Sequence, residues 1–279
     1  MSYQSMLVHV DDGERVVMRL GAAARLARSF DAELIGAYAI AANPITPTVS
    51  AVLPDSIVTE RMREMGEAQA SAEALFRAAA ARARVTAAEW RAPAGEPIPA
   101  LVAHARCSDL VILGQRDPED GNGDFAADVA NTVVLQSGRP VLVLPCAGSA
   151  TAIGTTALVA WNGTRESARA VADAMPLLAR AERVILLSIA KDDDDNAMGS
   201  QPEQRVLAWL RFHGIEAIAR HHRPAESDVS ELIHREAGGS GADLIVMGAY
   251  SQSRLQERVL GGVTRRLLDT MTVPVLMSH

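Results

Sequence analysis

One segment of this chain occurs twice. Asp109-Leu-Val-Ile-Leu-Gly114 returns as Asp243-Leu-Ile-Val-Met-Gly248, 134 positions later, and Pro140-Val-Leu-Val returns as Pro274-Val-Leu-Met at the same spacing. Nearer the start, Met6-Leu-Val-His-Val-Asp11 corresponds to Ala157-Leu-Val-Ala-Trp-Asn162 at a spacing of 151, so the first half carries 17 more residues between these landmarks. A longer stretch at 41–83 accounts for them. A chain that repeats one order of elements must build two domains of one architecture. We set them at 1–147 and 154–279, with a hinge in the small-residue run around 146–155.

Each copy alternates short apolar runs with amphipathic ones. Residues 5–11 read as a strand closed by Asp11-Asp12-Gly13, followed by a helix over 14–29 whose apolar face holds Val17, Leu20, Ala24 and Ala27, with Arg15, Arg19, Arg25 and Arg28 mostly elsewhere. A strand over 32–39 and a Pro-containing loop lead to a long helix over 55–83. That stretch lacks proline and is rich in Ala, Glu, Arg and Met, with Asp55 or Ser56 as its N-cap. Strand 86–91, helix 97–105, strand 109–114, helix 125–136 and strand 141–144 complete the first copy. The second runs through strand 156–161, helix 165–180, strand 184–190, helix 203–213, strand 215–220, helix 227–237, strand 243–248, a helix opening near Gly261-Gly262, and strand 273–277.

Strands that alternate with helices need right-handed crossovers, and near-continuous Val, Ile and Leu in the fourth strand of each copy requires a sheet covered on both faces. The expected fold is therefore α/β: two doubly wound domains, each a five-stranded parallel sheet with helices on both faces. In such sheets ligands lie beyond the carboxyl ends of the strands where the winding reverses. That crevice falls between Asp11 and Gly114 in the first copy and between Asn162 and Gly248 in the second.

Composition narrows the partners. A 48% hydrophobic content supplies two cores, and a net charge of −7 argues against non-specific nucleic-acid binding. No apolar run reaches the roughly 20 residues of a membrane helix. The opening Met1-Ser-Tyr-Gln enters a strand with no cleavable leader, so a cytoplasmic location is expected. The two cysteines, Cys107 and Cys146, cannot frame a metal site and read as incidental thiols.

At these residues the chain resembles the universal stress protein family in its tandem form. The resemblance spans nearly the whole chain: the openings Val10-Asp11-Asp12-Gly13 and Trp161-Asn162-Gly163-Thr164, the Asp-Leu-Ile-Val-Met-Gly strand, and the Pro-Val-Leu ending. In ATP-binding members the fourth strand runs into glycine, two residues, glycine, nine residues, then glycine followed by Ser or Thr. The second half keeps that spacing with altered chemistry. Gly248 stands at the first glycine, Ser251 replaces the second, Gly261-Gly262 fills the last pair, and Thr264 follows. Asn162 stands where the family has an acidic residue near base and ribose. The resemblance implies a site for ATP or a related adenine nucleotide, with magnesium accompanying it, formed by Ala160, Trp161, Asn162, Ile189, Met247, Gly248, Tyr250, Ser251, Gly261, Gly262, Val263 and Thr264. The other reading is that these glycines were kept for folding alone.

In the first half Gly114 persists but no second glycine follows. Residues 124–131 stand where the helix-opening pair should be, and Asp117, Glu119, Asp120, Asp124 and Asp128 would repel a triphosphate. The first domain is expected to bind no nucleotide.

Other candidate sites are weaker. His221 and His222 are adjacent, which on a strand sends them to opposite faces, and with His213 and His234 they read as surface histidines without metal spacing. The run Asp192–Asp195 lacks the alternation of a calcium loop. No nucleophile elbow, P-loop or pyrophosphatase-type loop is present, which argues against a committed hydrolase or ligase and leaves weak ATP hydrolysis at most. The function expected is a stress-response protein in which a regulatory nucleotide orders the 249–262 loop and changes a protein-facing surface. The alternative is a non-nucleotide interaction module in which the two domains of the chain pair along their fifth strands, 141–144 and 273–277, across a sheet edge, with homodimerisation of chains as a further expectation.

Overall fold

The computed structural model describes residues 2–40, 54–93, 95–116, 123–147, 152–189, 201–222, 229–250 and 262–279. The chain divides into two compact units, Tyr3–Ser137 and one built on Gly138–His279.

The first unit comprises β1 (Ser5–Val10), α1 (Val16–Phe30), β2 (Glu33–Tyr38), α2 (Asp55–Ala83), β3 (Ala88–Arg91), α3 (Pro97–Ala105), β4 (Leu110–Gly114) and α4 (Gly123–Gln136). Its strands lie in the order β3-β2-β1-β4, and β1 pairs in parallel with both β2 and β4. Leu110, Val111 and Ile112 are fully buried, which is why β4 reads as an unbroken apolar run. Fully burying such a side chain contributes about 1.5–3 kcal/mol.

The second unit comprises β5 (Val141–Leu144), β6 (Thr156–Trp161), α5 (Arg165–Leu178), β7 (Arg183–Ile189), α6 (Gln201–Phe212), β8 (Ala217–His222), α7 (Val229–Ser240), β9 (Leu244–Gly248), α8 (Val263–Thr270) and β10 (Val275–Ser278). Its strand order is β5-β10-β9-β6-β7-β8. Parallel pairing joins β10, β9, β6, β7 and β8. β5, the fifth strand of the first repeat by sequence, groups with this unit. It pairs antiparallel with β10, setting Val143 against Val275, Leu142 against Leu276 and Val141 against Met277. The pairing of fifth strands expected from the sequence is present.

Helices cover both sheet faces, and β8 shows this within two residues. His221 Nδ1 lies 3.0 Å from Glu203 Oε2 on α6, while His222 Nε2 lies 3.0 Å from Glu236 Oε1 on α7. His234 Nε2 lies 2.9 Å from Thr270 Oγ1, and His213 meets the Trp209 ring edge-on. These histidines have structural partners. Among the described residues no His, Cys, Asp and Glu cluster suits a metal, and no helix is long and apolar enough to cross a membrane. Neither cysteine forms a disulfide.

The repeated Asp of the fourth strand has a structural task at the amino end of each sheet. Asp109 Oδ2 accepts from the backbone N–H of Gln4 at 2.8 Å and Ser5 at 3.1 Å. Asp243 accepts from Gly154, Thr155 and Thr156 at 2.9–3.1 Å. In both units the carboxylate ties the start of the fourth strand to the start of the first, satisfying donors that precede the ladder.

Two local expectations fail. Leu20, Ala24 and Ala27 are buried as expected, but Val17 is 52% exposed while Val16 and Arg19 are buried, so the inward face of α1 is wider than expected and carries a guanidinium. The N-cap of α2 is Pro54, with Asp55 as the first helical residue and no side-chain cap bond. A proline there fits because its missing N–H is not needed. The cap-rich opening expected before α7, at Ser227, lies outside the described residues.

Candidate strand-end crevices

In the first repeat the crevice between β1 and β4 is filled by the protein itself. Arg19 projects from α1 and donates Nε–H to the carbonyl of His9 at 2.9 Å, while its Nη2 lies 2.7 Å from Asp11 Oδ1. Its Nη1 sits so close to Gly114 that a β-carbon built there would lie 2.2 Å from it. The glycine therefore leaves space for a guanidinium. Burial pushes the Asp11 carboxyl up, but Arg19, His9 and the Gly13 N–H together hold it below its usual value. The His9 imidazole is buried, bonded through Nε2 to the Ala39 carbonyl at 2.7 Å. Burial and then the Arg19 charge lower its pKa, opposed by Asp11.

Among the described residues of the second repeat no arginine plays that part. At the spacing of 151 that relates Asp11 to Asn162, Arg19 becomes Ala170, a buried methyl. Gly248 is instead approached by backbone. A β-carbon there would lie 2.5 Å from Ser167 N and 2.6 Å from Glu166 C, so the glycine admits the first turn of α5. That turn is set by its cap. Thr164 Oγ1 accepts from Ser167 N at 3.3 Å, and Asn162 Oδ1 accepts from the Thr164 N–H and hydroxyl at 3.2 and 2.9 Å. Glu166 is buried in the same turn. Burial raises its pKa, but the Arg165 bond and local donors outweigh that and lower it overall. This keeps a carboxylate at the helix N-terminus, where the dipole favours it.

The residues expected from the sequence fall on this side of the second sheet. Ala160 and Trp161, half-buried, end β6, with Ala160 in register with Met247 and Trp161 with Ser188. Ile189 ends β7, and Asn162 is exposed just past β6. Met247 is buried, and Gly248 ends β9. Tyr250 follows with φ of 55°; its N–H donates to Thr264 Oγ1 at 3.3 Å, which draws the opening of α8 to the exit of β9. Gly262 is the N-cap of α8 and Val263 its first residue, and as glycine the N-cap has no side chain to cap that end. Ser251 and Gly261 lie outside the described residues, as do the 251–261 part of the expected ordering loop and the acidic runs at 117–122 and 192–195.

Sequence reasoning missed Arg19 and Glu166. The signal for Arg19 was available in the repeat: a buried-face position of α1 holds Arg in one copy and Ala in the other. Glu166 gave none, because a carboxylate in a first helical turn is ordinary.

The model of the universal stress protein family matches residues 2–145 and 155–279. A universal stress protein from Archaeoglobus fulgidus DSM 4304 matches at 17% identity and a TM-score of 0.74, over 98% of this chain and 95% of that one. A putative universal stress protein from Pseudomonas aeruginosa UCBPP-PA14 matches at 14% identity and a TM-score of 0.60, over 99% of this chain and 93% of that one. At such identities the likeness is one of fold. A universal stress protein in complex with cAMP matches 53% of this chain and 100% of its own, at 22% identity and a TM-score of 0.37. No curated protein matches this sequence.

Proposed function

Since the chain belongs to the universal stress protein family, carried as two tandem repeats, we propose that it is a stress-response protein that holds one adenine nucleotide in its second repeat and none in its first. One contrast carries the reading. Arg19 occupies the first crevice at Gly114, whereas the second has Ala170 at the matching position. An exposed Asn162 and a half-buried Trp161 stand at the end of β6, and the glycine-led start of α8 is tied to the exit of β9, the strand next to β6.

The residues fit such a ligand in a definite orientation. Backbone N–H groups at the N-cap Gly262 and the first helical residue, Val263, would receive phosphate oxygens. The Trp161 indole offers a stacking face for the base, and Asn162 a polar group for the ribose. Glu166, ionised next to Gly248, repels anions, so phosphates would be steered toward α8 and away from α5. Magnesium would come with the phosphates, since it retains waters and takes few protein ligands. Bound nucleotide would act as a regulatory ligand through its differential affinity for two states of the second repeat.

The test is calorimetric titration of the full chain with ATP and with AMP, each with and without magnesium. Saturable binding is expected, lost when Gly262→Glu places a carboxylate at the α8 N-terminus. No heat with either nucleotide at millimolar concentration would overturn the proposal. A second reading, a ligand-free interaction module, draws on two observations: packing alone accounts for Gly248, and β5 pairs with β10.

A further inference from the structure

The second unit ends in an unprotected strand. β8 is the last strand of its sheet and, among the described residues, pairs with β7 alone. Half of its backbone donors and acceptors therefore face outward without a strand partner. Exposed edges are normally blunted by lysine, proline, bulges or shortness. β8 has six residues with neither Lys nor Pro, and Ile218 on it is 55% exposed. Phe212, 90% exposed, and Trp209 lie on α6, the helix against this strand.

The edge strand of the first unit is built differently. β3 has four residues, an adjacent pair of opposite charges in Glu89 and Arg91 at 2.8 Å, and a backbone carbonyl at Ala88 that accepts from Arg77 Nη1 at 3.1 Å. That edge is short and charged. By contrast β8 is longer and, among the described residues, its outer side is left open.

The sequence at the start of β8 also matches its own reverse. Glu216, the residue just before the strand, and Ile218 and Arg220 on it stand at alternate positions. Two antiparallel copies of the strand centred on Ile218 would set Ile218 against Ile218, and Glu216 of each chain against Arg220 of the other. Opposite charges and apolar pairs directly across such a ladder stabilise it, and like charges there disfavour it. Glu216 is mostly exposed in its ion pair with Arg211. Arg220, paired with Glu236 at 2.9 Å, is 40% exposed and has further donors to offer.

We propose that β8 is a self-association edge: a second copy of this chain docks antiparallel on it about a twofold axis through Ile218, continuing the sheet from one chain into the next. A twofold contact of this kind is self-complementary and closed, so it yields dimers and not fibres.

The experiment is sedimentation of the full chain with three variants. The unaltered protein should reach twice the 29.6 kDa chain mass at high concentration. Glu216→Arg and Arg220→Glu should each sediment as single chains, because each sets like charges opposite one another. The double variant Glu216→Arg/Arg220→Glu restores opposite charges and should dimerise again. Circular dichroism on each variant checks that the exposed substitutions leave the fold intact. Ile218→Cys supplies a second readout. Directly opposed residues in an antiparallel pair lie about 4.5–5.5 Å apart at Cα, within disulfide reach, so oxidation should give a covalent dimer that the unaltered chain, with its Cys107 and Cys146, does not form. A monomeric native chain, or a dimer that survives both single reversals, would overturn the proposal.

Discussion

Replacing Arg19 with methionine removes a charge from a buried place while keeping most of the volume. The guanidinium side chain is 7% exposed and Asp11 20%. Losing it leaves the His9 carbonyl without its 2.9 Å donor and Asp11 without its cation. An unsatisfied buried acceptor costs about 1–3 kcal/mol, and breaking a fully buried pair costs about 3–5 kcal/mol. Asp11 keeps the Gly13 N–H and part of its hydration, which places the whole effect near the lower values, at about 3 kcal/mol. Urea unfolding followed by hydrogen exchange at β1 and β4 reads the first repeat directly. Adding Asp11→Asn to Arg19→Met should recover about half the loss, since the stranded carboxylate is then gone. A loss under about 1 kcal/mol, or strict additivity of the two substitutions, would refute the idea that Arg19 is a structural plug.

Two further outcomes follow from the same geometry. Gly248→Ala drives a methyl into the backbone of α5, which cannot yield cheaply. It should cost about 3 kcal/mol or more, whereas Gly114→Ala meets the Arg19 guanidinium, which yields only by giving up its His9 and Asp11 bonds, so its cost is bounded by that of Arg19→Met and should be the smaller of the two. Equal destabilisation in paired urea melts would contradict this. His9 has its folded pKa lowered by burial, so its stabilising contribution is complete above the unfolded value of about 6.5 and falls away as pH drops below it. Asp11, also lowered, loses its contribution only below the carboxylate range. Melting of the unaltered chain between pH 7.5 and 5 should therefore show a decline that His9→Gln flattens, and parallel curves would count against it.

Much of the fold was legible because strands buried on both faces leave uninterrupted apolar runs, and because the repeat doubled every signal. The six residues from Asp109 to Gly114 marked a strand and its exit at once. The carboxylate clamp itself was not legible: Asp109 and Asp243 act on backbone N–H groups 87 to 105 positions away, a relation no local pattern encodes. The glycines have a packing use that spacing does not show. Gly114 makes room for Arg19, and Gly248 for the first turn of α5. Tertiary packing, invisible in spacing, gives the same residue type different neighbours in the two repeats. Arg19 was placed outside the apolar face of α1 because arginine is rarely buried, and its partner Asp11 lies on another element.

The most direct measurement is hydrogen exchange of the full chain with and without saturating adenine nucleotide, combined with a count of nucleotide bound per chain by native mass spectrometry. One nucleotide per chain is expected, with exchange slowed at residues 161–164 and at the opening of α8, 262–266, and unchanged around Arg19 and Gly114. Protection centred on the first repeat, two nucleotides per chain, or none at all would contradict a single site in the second repeat.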